Sequence, residues 1–577
     1  MPRLADDVEE GTFGARSKYN LKKAAIIGAV AIVGLVGLTA IVKSFGGDNF
    51  PSEPLCPVPA YFSANSTAIT NRSKQFLSDK EFIAQSVEKL SKAVQVPTEV
   101  YDSQPDVDDA PEVWAKFGKF HHYLEETFPT VYANLDVDKI NTWGLVFTWK
   151  GKNTDLKPVL LAAHQDVVPV QKETIKNWKY DPFSGHIGKK YLFGRGASDC
   201  KNLLVGLMET VEQLLADDFK PQRSIVLAFG FDEEASGEQG ARYISEFLLK
   251  RYGRDSFYAV IDEGDAGLVK AGGGSQFYAQ VATGEKGHVN AHIELTTPGG
   301  HSSVPPDHTS IGIMSSLLKL LEDEPFEAAL VEENPTLGYM QCLAEHDPSM
   351  PKKLKTSIFR AILSKAANSK VVDYLSKSIA DRYLVRTSQA IDIIQGGAKS
   401  NALPEHVSVI SNYRINIGSS VNETLVHVTE KINRIAKEYD VGFYQEGEEI
   451  RKDEHGNGHF SLSVVEPLEP APASPTDKDS KVWMTYGGAL RHFYENVLGV
   501  DGKVIVTPGI STGNTDTKCY WGLTKNIYRY VPALSDLGTI ESGIHSVNEK
   551  IEKENHIHII AFYYEYLQAI DKVTDEE

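Results

Sequence analysis

The stretch L-A-A-H-Q-D-V-V-P-V, Leu161 to Val170, limits what this chain can fold into more than any other. Its apolar lead-in, Val159 to Ala163, is too short and too loosely patterned for a helix and reads as a strand buried on both faces. The run stops abruptly at His164, Gln165 and Asp166, so a histidine emerges at the strand's carboxyl edge, where open α/β sheets keep their chemistry. Two more apolar runs end the same way: S-I-V-L-A-F-G-F-D-E-E in Glu233 and Glu234, F-Y-A-V-I-D-E-G in Asp262 and Glu263. A neutral imidazole is a common metal ligand, and a carboxylate two residues on can hold its second nitrogen. H-x-D alone is more often a merely structural pair. Three buried strands tipped with His, Glu or Asp are a pattern.

Helical stretches alternate with these strands, which predicts an α/β sheet covered on both faces. Amphipathic helices are expected near 82–94 and 113–128, and another after G-R-G-A-S-D-C-K-N, where Leu203, Leu204, Leu207, Met208, Val211, Leu214 and Leu215 share one face. Between residues 285 and 465 the order becomes β-α-β-β-α-β with an insertion at about 326–385, the signature of a small ferredoxin-like α+β domain inserted into the first. The sheet domain therefore divides into 80–284 and 466–577, rejoined through the Pro-rich linker E-P-L-E-P-A-P-A-S-P.

The N-terminus has its own logic. Residues 1–23 form a polar tail ending in Arg16, Lys18, Lys22 and Lys23; residues 24–42 are 19 uncharged, mostly apolar residues, about 28 Å as a helix and enough to cross a bilayer core. The basic cluster before this segment outweighs Lys43 after it, which predicts a signal anchor with a cytosolic tail and a lumenal body, a single-pass type II topology. Sequons at Asn65, Asn71 and Asn422 suit a glycosylated lumenal body. Residues 43–79, with prolines at 51, 54, 57 and 59, read as a stem. The net charge of −19 and the lack of a long Lys/Arg run in the body argue against nucleic acid as a partner. Four cysteines show no C-x-x-C, so neither a zinc ribbon nor a small disulfide scaffold is indicated.

Collected, the candidates for chemistry are His164, Asp199, Glu233, Glu234, the Asp262-Glu263 pair and His545. Two histidines and several carboxylates suit two zinc ions sharing a carboxylate, with an open position for water. Adjacent Glu233 and Glu234 point in different directions, so one can ligate while the other acts as base.

In order and spacing, H-Q-D-V-V-P-V, G-R-G-x-x-D, D-E-E, I-D-E-G, T-P-G-G-H-S-S, S-N-A-L-P-E and H-S-V-N-E resemble the dinuclear zinc carboxypeptidase and aminoacylase family, and most of all its membrane-anchored vacuolar members. The resemblance covers residue 80 to the C-terminus. It implies that His164 binds the first zinc, Asp199 bridges, Glu234 and His545 bind the second, and Glu233 is the general base, with Asp166 orienting His164. Relatives differ over which of Asp262 and Glu263 completes the first site; Asp262 is the expectation taken here. Cys200, next to the bridging Asp199, is read as packing. The inserted domain would be a lid and dimerisation domain. His301 would reach the active site of the other subunit of a homodimer to polarise the scissile carbonyl, and Asn401 and Arg414 would grip the substrate's free carboxylate. The implied activity is a zinc-dependent carboxypeptidase acting on short peptides in a vacuolar lumen, by Glu-assisted attack of zinc-bound water. An N-acyl amino acid hydrolase shares this chemistry and is the alternative; a non-catalytic peptide-binding ectodomain would require a lost ligand or base, and none is lost.

Overall fold

Eight strands build the sheet that carries the three tipped ends. In spatial order they are Asp136–Ile140, Gly144–Trp149, Ile225–Gly230, Val159–His164, Ala259–Ala266, Ile527–Val531, Phe277–Glu285 and Val504–Ser511. Strands 225–230, 159–164 and 259–266 run parallel, so their carboxyl ends open on one edge. Successive side chains alternate between faces. Leu161 and Ala163 join a large cluster with helices Lys80–Val94, Lys201–Ala216 and Lys553–Ile570, while Leu160 and Ala162 meet helix Ala241–Tyr252 on the other side. Both faces are covered, which is why these strands read as unbroken apolar runs.

The computed structural model describes residues 53–270, 275–534 and 539–574. The expected tail at 1–23 and anchor at 24–42 lie outside the described residues, and among those described no helix is long and apolar enough to cross a membrane. Residues 56–577 form one compact unit, and the buried clusters draw on no described residue before Cys56.

The second sheet runs Ser388–Gly396, His406–Ile415, Gly287–Thr296, His459–Leu468, Gly442–Gln445, Glu448–Arg451. Its first four strands are antiparallel neighbours in the order of a ferredoxin-like unit, and the hairpin 442–451 is added outside them. Helices Ser310–Asp323 and Val421–Glu438 pack on one face. The other face is left open: strand 287–296 alternates buried and half-exposed residues. The return crossing falls after Leu468, three residues later than expected, because strand 459–468 pairs with 287–296 as far as His288.

Two parts of the domain plan change. The insertion, helices Pro335–His346, Lys352–Phe359 and Lys365–Leu375, packs on the outer edge of the large sheet through Tyr278 and Ile505. The second half of the expected stem is no stem. A disulfide joins Cys56 to Cys342, the Phe62 amide donates to the Gly488 carbonyl, and helix Thr67–Ser78 buries Phe76 in the main core. Prolines 57 and 59 keep residues 56–66 out of helix and sheet, and contacts with the body hold them instead.

Candidate metal centre

His164 ends its strand with a side chain 1% exposed. Its Nδ1 lies 3.0 Å from the Asp166 carbonyl and 3.3 Å from Asp166 Oδ1, which turns Nε2 outward from the strand edge. There Nε2 meets Asp199 Oδ1 at 3.1 Å and Glu263 Oε1 at 3.5 Å. The other Asp199 oxygen, Oδ2, stands 3.1 Å from His545 Nε2, which is also 3.1 Å from Glu234 Oε2. One carboxylate thus links two histidines, each with a further carboxylate beside it. His545 is 54% exposed, so the centre opens on its side and is sealed on that of His164.

Each arm is held from behind. Asp166 accepts the backbone N–H groups of Glu233 and Glu234 at 3.2 and 3.0 Å, fixing the turn after strand 225–230 as well as the His164 ring. Gly230, at the end of that strand, has no room for a side chain, since a Cβ there would stand 2.3 Å from Asp516 Oδ2. Asp199 is joined by a cis peptide to Cys200, just before helix Lys201–Ala216. Its loop is clamped by buried Glu549, which accepts from the amides of Gly196, Ser198 and Asp199 and pairs with Arg195. Glu549 and Arg195 both lie in quoted motifs, but their pairing across 354 residues left no mark in local spacing.

Of the Asp262-Glu263 pair, where Asp262 was the expected ligand, Glu263 is the one whose carboxylate stands beside His164. Asp262 stands opposite Arg529 in the neighbouring strand and its Oδ1 accepts from the Glu263 amide. Glu263, on the opposite face by strand alternation, is the residue aimed at His164. Cys200 Sγ accepts from the His164 amide at 3.4 Å, and burial pushes its thiol well up, so it is a neutral packing group here.

The donor set fits divalent cations. The ligand atoms of His164, Asp199 and Glu234 lie within 4.8 Å of one another, as do those of His164, Cys200 and Glu263. Burial raises the Glu263 carboxyl to about 8, Glu234 to about 7 and Asp262 to about 6, while hydrogen bonds to Asp199 and Glu234 lift His545 to about 10. Burial, and next the charge of Glu263, push Glu233 well above the ordinary carboxylate value. Among the described residues, the buried Glu234 Oε1 has no hydrogen-bond partner. So many desolvated carboxylates ionise together only with positive charge among them.

The centre lies in a cleft of about 1610 Å³, above the usual range for small-molecule pockets. Glu233 lines it, and so do His288, Asn290, Asn412 and Arg414 from the open face of the inserted sheet. Arg414 Nη1 donates to Asn514 Oδ1 at 2.8 Å, and Asn514 Nδ2 donates to the Lys286 carbonyl, so a loop of the large domain steadies the guanidinium. Asn514 was not among the sequence candidates. His301 and Asn401 do not reach the cleft within this chain: both are exposed, His301 pairs with Ala402 in a two-residue ladder, and its Nδ1 is 2.7 Å from Ser303 Oγ.

The family model for peptidase family M20/M25/M40 matches residues 160–569. Carboxypeptidase S of Saccharomyces cerevisiae is 44% identical over 499 residues, 86% of each chain. The N-fatty-acyl-amino acid synthase/hydrolase PM20D1 of Mus musculus is 30% identical, over 84% of this chain and 87% of its own. Among solved structures, human carnosine dipeptidase 1 aligns with a TM-score of 0.59 at 16% identity, over 90% of this chain and 100% of its own, a likeness of fold. The two-histidine carboxylate cluster and these matches agree: the chain belongs to peptidase family M20/M25/M40.

Proposed function

We propose that this metallo-carboxypeptidase releases C-terminal residues from short peptides through two zinc ions, one held by His164, Glu263 and Asp199 and the other by Asp199, Glu234 and His545. The observation that carries the reading is Asp199, whose two oxygens face the two histidines. Bound zinc lowers the pKa of water and polarises a carbonyl. Glu233, unbonded to either histidine and facing the cleft, takes the proton of the attacking water and passes it to the leaving amine. Its raised affinity for a proton suits that transfer. Arg414 takes the free carboxylate as a planar fork. That group separates a terminal residue from an internal amide, which the scissile carbonyl cannot do.

A homodimer is part of the proposal. His301 and Asn401 lie off the cleft of their own chain, and strand 388–396 is a sheet edge with Ile393 and Ile394 exposed, a face suited to a second copy that would bring His301 to the neighbouring site. We also place the body in a vacuolar lumen behind a type II anchor at 24–42. The Cys56–Cys342 disulfide supports an oxidising compartment, and Asn65, Asn71 and Asn422 are all exposed, as glycan acceptors must be.

N-acyl amino acids form the second reading, favoured by Val269 and Val465, large apolar side chains exposed in the cleft. Assaying the purified enzyme on blocked dipeptides and on N-acyl amino acids, with and without chelator, separates the two. Faster turnover of dipeptide acids supports the carboxypeptidase, and faster turnover of long-chain acyl amino acids replaces it.

A further inference from the structure

Residues 351–386 invert the charge of the chain: nine Lys and Arg stand against two Asp, in a protein of net charge −19. The fold turns six of these nine cations outward. Helix Lys365–Leu375 buries Ala367, Val371 and Leu375 and leaves Lys365, Lys370 and Tyr374 exposed, as are Lys353, Arg360 and Lys377 around it. Among the described residues, Lys353, Arg360, Lys365, Lys370 and Lys377 have no ion pair. Between the cations stand large apolar side chains without cover: Leu363 is 59% exposed and Ile379 72%, with Ile362 and Tyr374 also exposed. Cations interleaved with exposed apolar groups suit a lipid interface, where the charges meet headgroups and the apolar tips enter the acyl boundary.

We propose that this helical insertion is a second membrane contact, a surface that rests on a bilayer carrying anionic headgroups. The chain's connectivity argues for the same occupant. Cys56 is tied to Cys342 on the first helix of the insertion, its amide donates to Glu345, and its carbonyl lies 3.3 Å from His346 Nε2. The apolar stretch 24–42 ends 14 residues before Cys56, a reach of roughly 50 Å at full extension. On the anchored reading, the chain coming from the bilayer enters the body at the residue bonded to the insertion. The proposal rests on that reading for its placement and on the basic, apolar surface for its chemistry.

The body, residues 56–577 with the disulfide intact and hydrolytic activity verified, is sedimented with vesicles of phosphatidylcholine alone and of phosphatidylcholine with phosphatidylserine. Binding is expected only to the mixed vesicles, and it should fade as salt is raised. Each cation near such a surface contributes roughly a fivefold gain. The combined variant Lys353→Glu, Lys365→Glu, Lys370→Glu, Lys377→Glu should thus bind at least about a hundredfold more weakly, with turnover of short peptides unchanged. Leu363→Ser with Ile379→Ser should weaken binding several-fold while leaving its salt dependence. Equal binding to neutral vesicles, an unaltered quadruple variant, or capture by heparin without capture by vesicles would overturn the proposal. Alkaline washing of membranes carrying the full chain tests the anchor separately: release would refute the anchored topology, while the vesicle result stands or falls by itself.

Discussion

Asp166 carries more of the site than H-x-D suggests. It orients His164 and, through two backbone N–H groups, sets the turn that aims Glu233 and Glu234 in different directions. Glu233→Gln should therefore keep its metal, since that side chain holds no ring, while turnover falls by about 10²–10⁴ as for a lost general base; loss of metal in step with activity would make Glu233 a ligand. Within the acidic pair, Glu263→Gln should lower metal content and Asp262→Asn should preserve most of it, read by elemental analysis of the purified variants. The reverse order would restore the sequence expectation. The sequence leaves the choice within this pair open for a plain reason: neighbours on a strand face opposite ways, and the strand's own residues do not say on which face the site lies. His164, Asp199, Glu234 and His545, which the structure brings together, could be singled out because strand ends and short motifs mark them locally.

At the scale of elements, the strands and helix 421–438 were readable because burial on two faces or one leaves period-two runs, unbroken apolar runs or a 3.6-residue stripe. What could not be read was long-range closure. The Cys56–Cys342 bridge spans 286 positions, and no spacing rule pairs cysteines so far apart; the packing of 56–79 on the body follows from that bridge and from Phe76. Replacing Cys342 by Ser should lower stability by about 2–4 kcal/mol, seen as an earlier thermal transition, with the metal centre still able to bind its ions because no ligand lies in the insertion. An unchanged transition would mean that packing alone holds this segment. Arg414 offers a second test of element placement. It comes from the inserted sheet and is braced by Asn514 of the large domain, so Arg414→Ala should cost roughly two orders of magnitude on dipeptide acids and little on peptide amides. Equal losses on both would remove the carboxylate clamp.

For the molecule as a whole, acid is a stress built into the core. Burial holds His556 near about 3 and His558 near about 4, below the value of about 6.5 for an exposed imidazole. The unfolded chain binds more protons in that interval, so these groups withdraw stability as pH falls from about 6.5 toward 4. His556→Leu should narrow the drop in thermal midpoint across that range relative to the parent, and an identical slope would show that His556 titrates normally. The central claim concerns one shared carboxylate that assembles both halves of a metal peptidase centre, and metal content per chain tests it most directly, measured alongside activity in the parent, His545→Ala and Asp199→Ala. The account predicts two zinc ions in the active parent, about half that in His545→Ala, and loss of both ions with all activity in Asp199→Ala. An Asp199→Ala enzyme that keeps its full metal and turnover would contradict it.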